Sequence, residues 1–87
     1  MENKKMRILC PHGLHLREAA RIVTTAKRFI SKIHLWHNSV KADTHSILEV
    51  LLLGAPQDSE ITLVIEGEDE KEAMRELTQI FQDGGGI

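Results

Sequence analysis

Residues 12–20, HGLHLREAA, place two histidines, an arginine and a glutamate at the start of a helix-forming stretch. His15 stands one residue before the predicted helix, where the first backbone N–H groups lack partners inside the helix. Those groups and the helix dipole favour a bound anion, and the planar guanidinium of Arg17 suits a phosphoryl group. A neutral imidazole is also a competent nucleophile near neutral pH. This combination predicts a histidine that accepts a phosphoryl group and holds it for transfer.

The sequence lacks the parts that a stand-alone kinase needs. It has no glycine-rich nucleotide loop and no cluster of carboxylates for Mg²⁺, so we do not expect the domain to use ATP by itself. A donor protein and an acceptor protein would have to bring and remove the phosphoryl group. The alternative, judged from these residues alone, is that His15 is an ordinary surface histidine at a helix end.

Five histidines also raise the question of a metal site. His34 and His37 lie three residues apart on a predicted strand, so they point to opposite faces. His12 and His15 could meet at the turn, but two ligands without a nearby carboxylate or thiolate make a weak site. A single cysteine, Cys10, allows no zinc-type cysteine spacing. We therefore expect no metal and no other cofactor.

Hydrophobic periodicity predicts the elements that position these residues. Alternating or short apolar segments predict four strands, at residues 5–10, 33–37, 40–42 and 60–66. Apolar residues at helical spacing predict a helix from Leu16 to about Arg28, with Ile30 continuing its apolar face. Asp69 and Glu72 are expected to form a capping pair for a last helix, which Gly84–Gly86 would end.

Residues 46–53, SILEVLLL, are too short and too apolar to assign by period alone. Ser46 is a good N-cap, Glu49 occupies the matching third position, and Gly54 is a good C-terminal stop. We therefore predict a short helix for this segment.

The predicted order is strand, helix, strand, strand, helix, strand, helix (βαββαβα). This order gives an α+β fold, an open-faced β-sandwich in which three helices cover one face of a four-stranded antiparallel sheet and Trp36 lies on the other. We expect a single domain over residues 1–87, with residues 84–87 as a flexible tail. The short apolar runs, the absence of a signal peptide and the single cysteine favour a cytoplasmic protein without membrane insertion.

The net charge of −2 conceals an asymmetry along the chain. Residues 1–43 carry nine Lys/Arg and three Asp/Glu, a balance of +6, whereas residues 44–87 carry two and ten, a balance of −8. Such a domain can offer a basic face to an acidic partner. Alternatively, the fold intermixes the two halves and cancels much of the asymmetry.

The stretch GLHLREAA resembles the active-site motif Gly-Leu-His-x-Arg-Pro-Ala of the histidine-containing phosphocarrier (HPr) family of the bacterial sugar phosphotransferase system. Residues 45–54, HSILEVLLLG, resemble the regulatory-serine helix of that family, and EGEDE at 66–70 resembles its approach to the last helix. The spacing from His15 to Ser46 also matches. The resemblance covers essentially the whole chain.

This resemblance implies that phosphorylated enzyme I modifies His15 on Nδ1, and that His15 passes the group to A-type domains of enzyme II sugar permeases. Arg17 would stabilise the phosphohistidine. The protein would then be a monomeric carrier that depends on partner enzymes, with no nucleic-acid partner. Ser46 matches the serine that an ATP-dependent HPr kinase/phosphorylase modifies in some bacteria, which slows transfer and can create a co-repressor for a transcriptional regulator.

The resemblance also implies an apolar docking surface beside the histidine. The matching residues are Leu16, Ile47, Leu48 and Leu51. For Leu51 a place in the hydrophobic core is an equal alternative.

Glu18 departs from the family motif, which has proline at this position. At about 8 Å in water, its carboxylate would weaken the hold on a doubly charged phosphoryl group by roughly 1 kcal/mol, and by less in salt. Arg21 could pair with Glu18 and draw it away. We therefore expect a carrier with a somewhat raised phosphoryl-transfer potential.

A second class of function is a regulatory binding module, either nitrogen-related or dependent on Ser46 phosphorylation, with little role in sugar transport. The retained His15 and Arg17 favour the carrier, because a purely regulatory relative has no need of the nucleophile. Glu18 slightly favours the regulatory module.

Overall fold

The computed structural model describes residues 1–82 of the 87-residue chain. In chain order its elements are β1 Glu2–Arg7, α1 Leu16–Ala26, β2 Lys32–His37, β3 Val40–Asp43, α2 Ile47–Leu52, β4 Glu60–Glu66 and α3 Glu70–Gln82. The strands form one antiparallel sheet in the order β1-β4-β2-β3. The predicted βαββαβα fold is therefore confirmed, whereas the predicted tail at 84–87 and the helix stop at Gly84–Gly86 lie outside the described residues.

The core lies between the sheet and the three helices. Strand β4 occupies the middle of the sheet, and its alternating residues Ile61, Leu63 and Ile65 are almost fully buried. The helices cover this face with small and branched side chains that are equally buried, namely Ala19, Ile22 and Ala26 of α1 and Ala73 and Leu77 of α3. The opposite face is open, as predicted, and there the Lys41 ammonium lies 5.9 Å from the centre of the Trp36 ring. Within residues 1–82, no helix is long and apolar enough to span a membrane.

The predicted bounds of the first strand are wrong, because β1 covers Glu2–Arg7 rather than residues 5–10. An edge strand needs one paired neighbour and little buried surface, so its polar N-terminal residues can join the ladder with β4. Ile8 continues the pairing outside the strand, where its N–H donates to the Ser59 carbonyl at 3.0 Å. Ile8 and Cys10 are buried as the alternation indicated, but they belong to the loop that leads to α1.

Helix α1 ends at Ala26, about two residues before the predicted end. The amides of Arg28 and Phe29 bond to the carbonyls of Thr25 and Ala26, three residues back, so the chain tightens and leaves the helix. Phe29 then packs against the core. Ile30 is 74% exposed, so its expected place on the apolar face of α1 is wrong.

The Asp69 carboxylate holds the end of α1 instead of capping α3. It accepts hydrogen bonds from the backbone N–H groups of Ile30 at 2.9 Å and Ser31 at 3.0 Å, and from the Ser31 hydroxyl. The close approach requires Gly67, since a Cβ there would lie 2.6 Å from the Ser31 Cα. The predicted capping pair with Glu72 is therefore wrong, and the Glu72 carboxylate pairs with Arg75.

These hydrogen bonds lower the pKa of Asp69 below 3.8, with the Ser31 hydroxyl as the largest cause and desolvation opposing it. A carboxyl whose folded pKa is lowered adds stability above its unfolded pKa, and that stability is lost as the pH falls through the folded pKa. We predict that Asp69→Asn lowers the free energy of urea unfolding at pH 7, and that the deficit shrinks in acid, as the pH falls through the lowered pKa of the folded protein.

The matched control for this measurement is Glu68→Gln, which neutralises an exposed neighbouring carboxylate. Its unfolding free energy should follow that of the wild-type protein at both pH values. A deficit in Asp69→Asn that stays the same at pH 7 and in acid would contradict the predicted role of the ionised carboxylate.

Candidate functional site

A glycine turn brings the segment that carries His15 against the residues that follow α2. Gly13 has a φ of +72°, and a Cβ at this position would lie 2.4 Å from the Ala55 carbonyl oxygen and 2.9 Å from the Pro56 Cα. The Leu14 N–H donates to the same Ala55 carbonyl at 3.0 Å. Because both the positive φ and this close approach exclude a side chain, the position requires glycine.

Cys10 closes the turn through two hydrogen bonds to Gly13. Its thiol donates to the Gly13 carbonyl at 2.8 Å, and the Gly13 N–H donates back to the Cys10 carbonyl at 3.0 Å. Cys10 is 2% exposed, and this burial raises the pKa of its thiol, as does the nearby Glu18 carboxylate. The protonated thiol is therefore a buried donor that fixes the turn.

His15 is the N-cap of α1, with an extended backbone (φ −88°, ψ 177°). Its carbonyl accepts the hydrogen bond from the Ala19 N–H at 2.9 Å, while its side chain is exposed. Leu16 and Arg17 take the first two helical positions, whose amides have no acceptor inside a helix. The exposed Arg17 side chain belongs to the same first turn. The structure thus places His15, the free amides and Arg17 in the first turn at one helix end.

Glu18 has a structural role that the residue pattern did not lead us to predict. Its side chain is 7% exposed, and its Oε1 accepts a hydrogen bond from the His15 N–H at 3.2 Å. This is the contact that an acid at the third helical position makes in a capping box, and the spacing from His15 to Glu18 was its signal. Glu18 therefore holds the backbone of His15 as well as adding charge near it. Its pairing with Arg21 stays a prediction.

The His12 ring lies beside the His15 ring. Their centroids are 5.4 Å apart and their planes are inclined by 30°. Both side chains are exposed, so the meeting of the two histidines indicated by the sequence is found at the turn. Within residues 1–82, no group of three or more His, Cys, Asp or Glu side chains is arranged to hold a metal ion.

The remaining histidines lie on other parts of the fold. His37 has its Nδ1 3.2 Å from the Leu53 carbonyl oxygen, near the end of α2. His34 lines the open face of the sheet together with Trp36 and His45. His34 and His37 are therefore separated by the sheet, as their spacing predicted.

Helix α2 presents an exposed apolar surface. Leu48 is 63% exposed and Leu52 is 72% exposed, and these residues are one helical turn apart. Ile47 is 36% exposed, and Leu16 on the neighbouring α1 is 64% exposed. We refer to Leu16, Ile47, Leu48 and Leu52 as the apolar surface.

Leu51 and Leu52 differ from the predicted docking set. Leu51 is half-buried and packs against the core, in line with the alternative noted for it. Leu52 was missed, although its spacing of four from Leu48 was a usable signal.

Ser46 is the N-cap of α2, as predicted. Its Oγ accepts a hydrogen bond from the Glu49 N–H at 3.3 Å, and Glu49 Oε1 accepts one from the Asp43 N–H at 2.9 Å. Asp43 Oδ1 in turn accepts from the His45 N–H at 2.9 Å and lies 3.2 Å from the His45 Nδ1. The bond from the His45 N–H lowers the pKa of Asp43, and the His45 ring lowers it further. Ser46, half-buried, thus sits within an ordered polar network.

Comparisons with known proteins agree with this arrangement. Residues 2–83 match the family model described as the PTS HPr component phosphorylation site. The chain is 41% identical over 83 residues to the phosphocarrier protein HPr of Buchnera aphidicola subsp. Acyrthosiphon pisum, and the match covers 95% of this chain and 98% of the relative.

Solved structures are similar over the same length. HPr-C-His from Thermoanaerobacter tengcongensis has a TM-score of 0.94 at 33% identity, covering 100% of this chain and 98% of that one. The Bacillus subtilis catabolite repression containing protein Crh, described as a swapped dimer, has a TM-score of 0.77 at 33% identity, covering 97% of each chain. The matched family model, the curated relative and the shared fold show that this chain belongs to the HPr family, the phosphocarrier proteins of the phosphotransferase system.

Proposed function

We propose that His15 accepts a phosphoryl group from phosphorylated enzyme I and passes it to the A-type domains of enzyme II sugar permeases. The observation that carries this proposal is the exposed His15 side chain at the N-cap of α1, beside amides without helical acceptors and in the same turn as Arg17. Membership of the HPr family supports it, since enzyme I and enzyme II are the partners of that family's relay.

The chemistry follows from the positions of these groups. A ring nitrogen of neutral His15 attacks phosphorus, and its bond to phosphorus forms as the bond to the donor breaks. The amides of Leu16 and Arg17 and the Arg17 guanidinium are placed to bind the oxygens of the transferred group. Transfer to the acceptor reverses these steps, so the carrier needs no bound cofactor of its own.

The apolar surface supports docking of both partners beside His15. Three of its four side chains are more than half exposed, and apolar area of this kind on a small domain marks an interaction site. Contact there removes water from the neighbourhood of the exposed histidine. The same surface serves the donor and the acceptor, which must therefore bind in turn.

We predict that His15→Ala abolishes phosphorylation by enzyme I and phosphoenolpyruvate, because the substitution removes the nucleophilic ring from the N-cap of α1. The measurement is incorporation of acid-labile, base-stable phosphate. His34→Gln, which changes a half-buried histidine on the open face of the sheet, is the control and should be phosphorylated like the wild-type protein. Phosphate retained by His15→Ala would refute the carrier role of this residue.

We predict that Glu18→Gln raises the equilibrium ratio of phosphorylated to free carrier about fivefold, since it removes a negative charge but keeps an oxygen that can accept the His15 N–H bond. The measurement is the equilibrium between the carrier and enzyme I, together with the rate of phosphohistidine hydrolysis. Glu18→Pro restores the family residue and removes both the charge and the acceptor. Values equal to those of the wild-type protein in both variants would remove the idea that Glu18 raises the transfer potential.

Ser46 supports a second, regulatory function. We propose that an HPr kinase/phosphorylase modifies Ser46 with ATP, and that the product slows transfer and binds a transcriptional regulator. The half-buried cap hydroxyl and the likeness to a catabolite repression protein favour this role. A phosphoryl group on Ser46 would stand among the carboxylates of Asp43 and Glu49 and next to Ile47 of the apolar surface. The added charge would weaken docking of partners that bind apolar area.

We predict that HPr kinase and ATP add acid-stable phosphate to the wild-type protein and none to Ser46→Ala. Thr24→Ala, which removes an exposed hydroxyl from α1, is the matched control. In addition, Ser46→Asp should slow phosphorylation of His15 by enzyme I several-fold, because it places a negative charge at the edge of the docking surface. Equal labelling of Ser46→Ala and the wild-type protein would contradict this site.

The proposed carrier is a monomer in the cytoplasm. Within the described residues β1 pairs with β4 of the same chain, so the sheet is complete in one copy. The swapped dimer described for Crh shows that this type of chain also assembles in pairs. A regulatory or nitrogen-related module is the alternative, and the enzyme I assay on His15 separates it from the sugar-transport carrier.

A further inference from the structure

The turn between His12 and His15 fixes the relative position of their backbones. Gly13 bonds to Cys10 through both its N–H and its carbonyl, and it packs directly against the backbone at Ala55. The two histidines flank this turn, and their ring centroids are 5.4 Å apart. A change of side-chain rotamer can move the rings, but the backbone keeps them on the same side of the molecule.

We propose that His12 is a phosphoryl-binding residue of this carrier whose hold on the group depends on its protonation. The imidazolium form of His12 binds the oxygens of a phosphoryl group on His15, and the neutral form releases them. The inference rests on the proposed phosphorylation of His15. It adds a second ring to the site and makes the transfer potential depend on pH.

The chemistry of the two rings supports this role. Imidazole changes its charge around neutral pH, and its protonated form has two N–H donors and no acceptor. A phosphoryl group adds nearly two negative charges and three acceptor oxygens to His15. At 5.4 Å between ring centres, an oxygen of that group comes within hydrogen-bond reach of the neighbouring ring nitrogen. The exposure of both side chains leaves the space between them open to the group.

The other charged groups around the pair do not supply this pH dependence. Arg17 and Glu18 belong to the first turn of α1, and Asp58 belongs to the loop that lies against the turn. Guanidinium and carboxylate groups ordinarily keep their charge across the neutral range. The Cys10 thiol beneath the turn stays protonated because burial raises its pKa. Among these neighbours of His15, His12 alone carries an imidazole, the side chain that ordinarily changes charge in this range.

The two equilibria are linked. Protonation of His12 stabilises phosphorylated His15, and phosphorylation of His15 stabilises protonated His12 to the same extent. The carrier therefore holds the group more tightly in mild acid and gives it up more readily in mild alkali. The His12 cation acts against the repulsion from Glu18, so the two residues have opposite effects on the same group.

The test compares the wild-type protein with His12→Gln at about pH 6 and about pH 8.5, on either side of the ordinary imidazole transition. Each protein is equilibrated with enzyme I, phosphoenolpyruvate and pyruvate, and the ratio of phosphorylated to free carrier is measured. We expect this ratio to be about fivefold higher in the wild-type protein than in His12→Gln near pH 6, and equal in the two near pH 8.5. The phosphoryl group itself ionises near about pH 6 in both proteins, so the ratio is compared between the two proteins at each pH.

Two further variants separate this role from a structural one. His12→Arg carries a permanent cation and should keep the raised ratio at both pH values. His45→Gln removes an exposed histidine just before the N-terminus of α2 and should match the wild-type protein. Equal ratios in wild type and His12→Gln near pH 6, or a difference that is constant with pH, would overturn the inference and leave the carrier function intact. If His15 accepts no phosphate even in the wild-type protein, both proposals fail.

Discussion

The close packing of the Gly13 turn on the Ala55 backbone is the constraint on which the site depends. It joins the segment before α1 to the segment after α2, and the Leu14 N–H bond to the Ala55 carbonyl locks the two together at 3.0 Å. His15 begins its helix two residues beyond Gly13, so its direction is set by this packing. The backbone at His15 and the end of α2 are therefore held together, and in the proposed function a partner that docks on the apolar surface would meet His15 in a defined position.

The opposite end of α1 is held in a similar way. Asp69 binds the backbone at Ile30 and Ser31, just beyond the end of the helix, through a carboxylate that lies 38 or 39 residues away in sequence. Between these two ends α1 buries Ile22 and Ala26 completely. A helix fixed at both ends and along one face keeps its N-terminal amides in place before any anion arrives, so little ordering remains to be done when the phosphoryl group binds.

Local patterns predicted most of the fold because its signals are local. Ser46 and Glu49 indicate the short helix α2, and the alternation of Ile61, Leu63 and Ile65 indicates β4. Two of the wrong predictions, the bounds of β1 and the cap of α3, share a physical cause, which is that the deciding partner is distant in sequence. Pairing with β4 sets the bounds of β1, and Ser31 diverts the Asp69 side chain from capping α3.

The candidate site could be predicted only in part, namely where its residues are close together in sequence. His15, Arg17 and the helix start lie within three residues, so their types and spacing indicate the chemistry. Spacing alone indicated that His12 and His15 could meet, but their ring separation depends on how Gly13 packs against Ala55. The exposure of Leu52 likewise depends on which face of α2 the sheet covers.

Glu18 supports the backbone of His15 and also adds a negative charge beside it. Its carboxylate accepts a hydrogen bond from the His15 N–H, which also donates to the Gly13 carbonyl at 3.0 Å. A proline at this position would fix the backbone by its ring and add no charge, but it would leave the His15 N–H with the Gly13 carbonyl alone as acceptor. Glu18 therefore adds a capping contact to α1 together with a negative charge that would repel a phosphoryl group on His15. In the proposed carrier, Arg17 and His12 would act against that charge, and the balance of these three side chains would set the transfer potential.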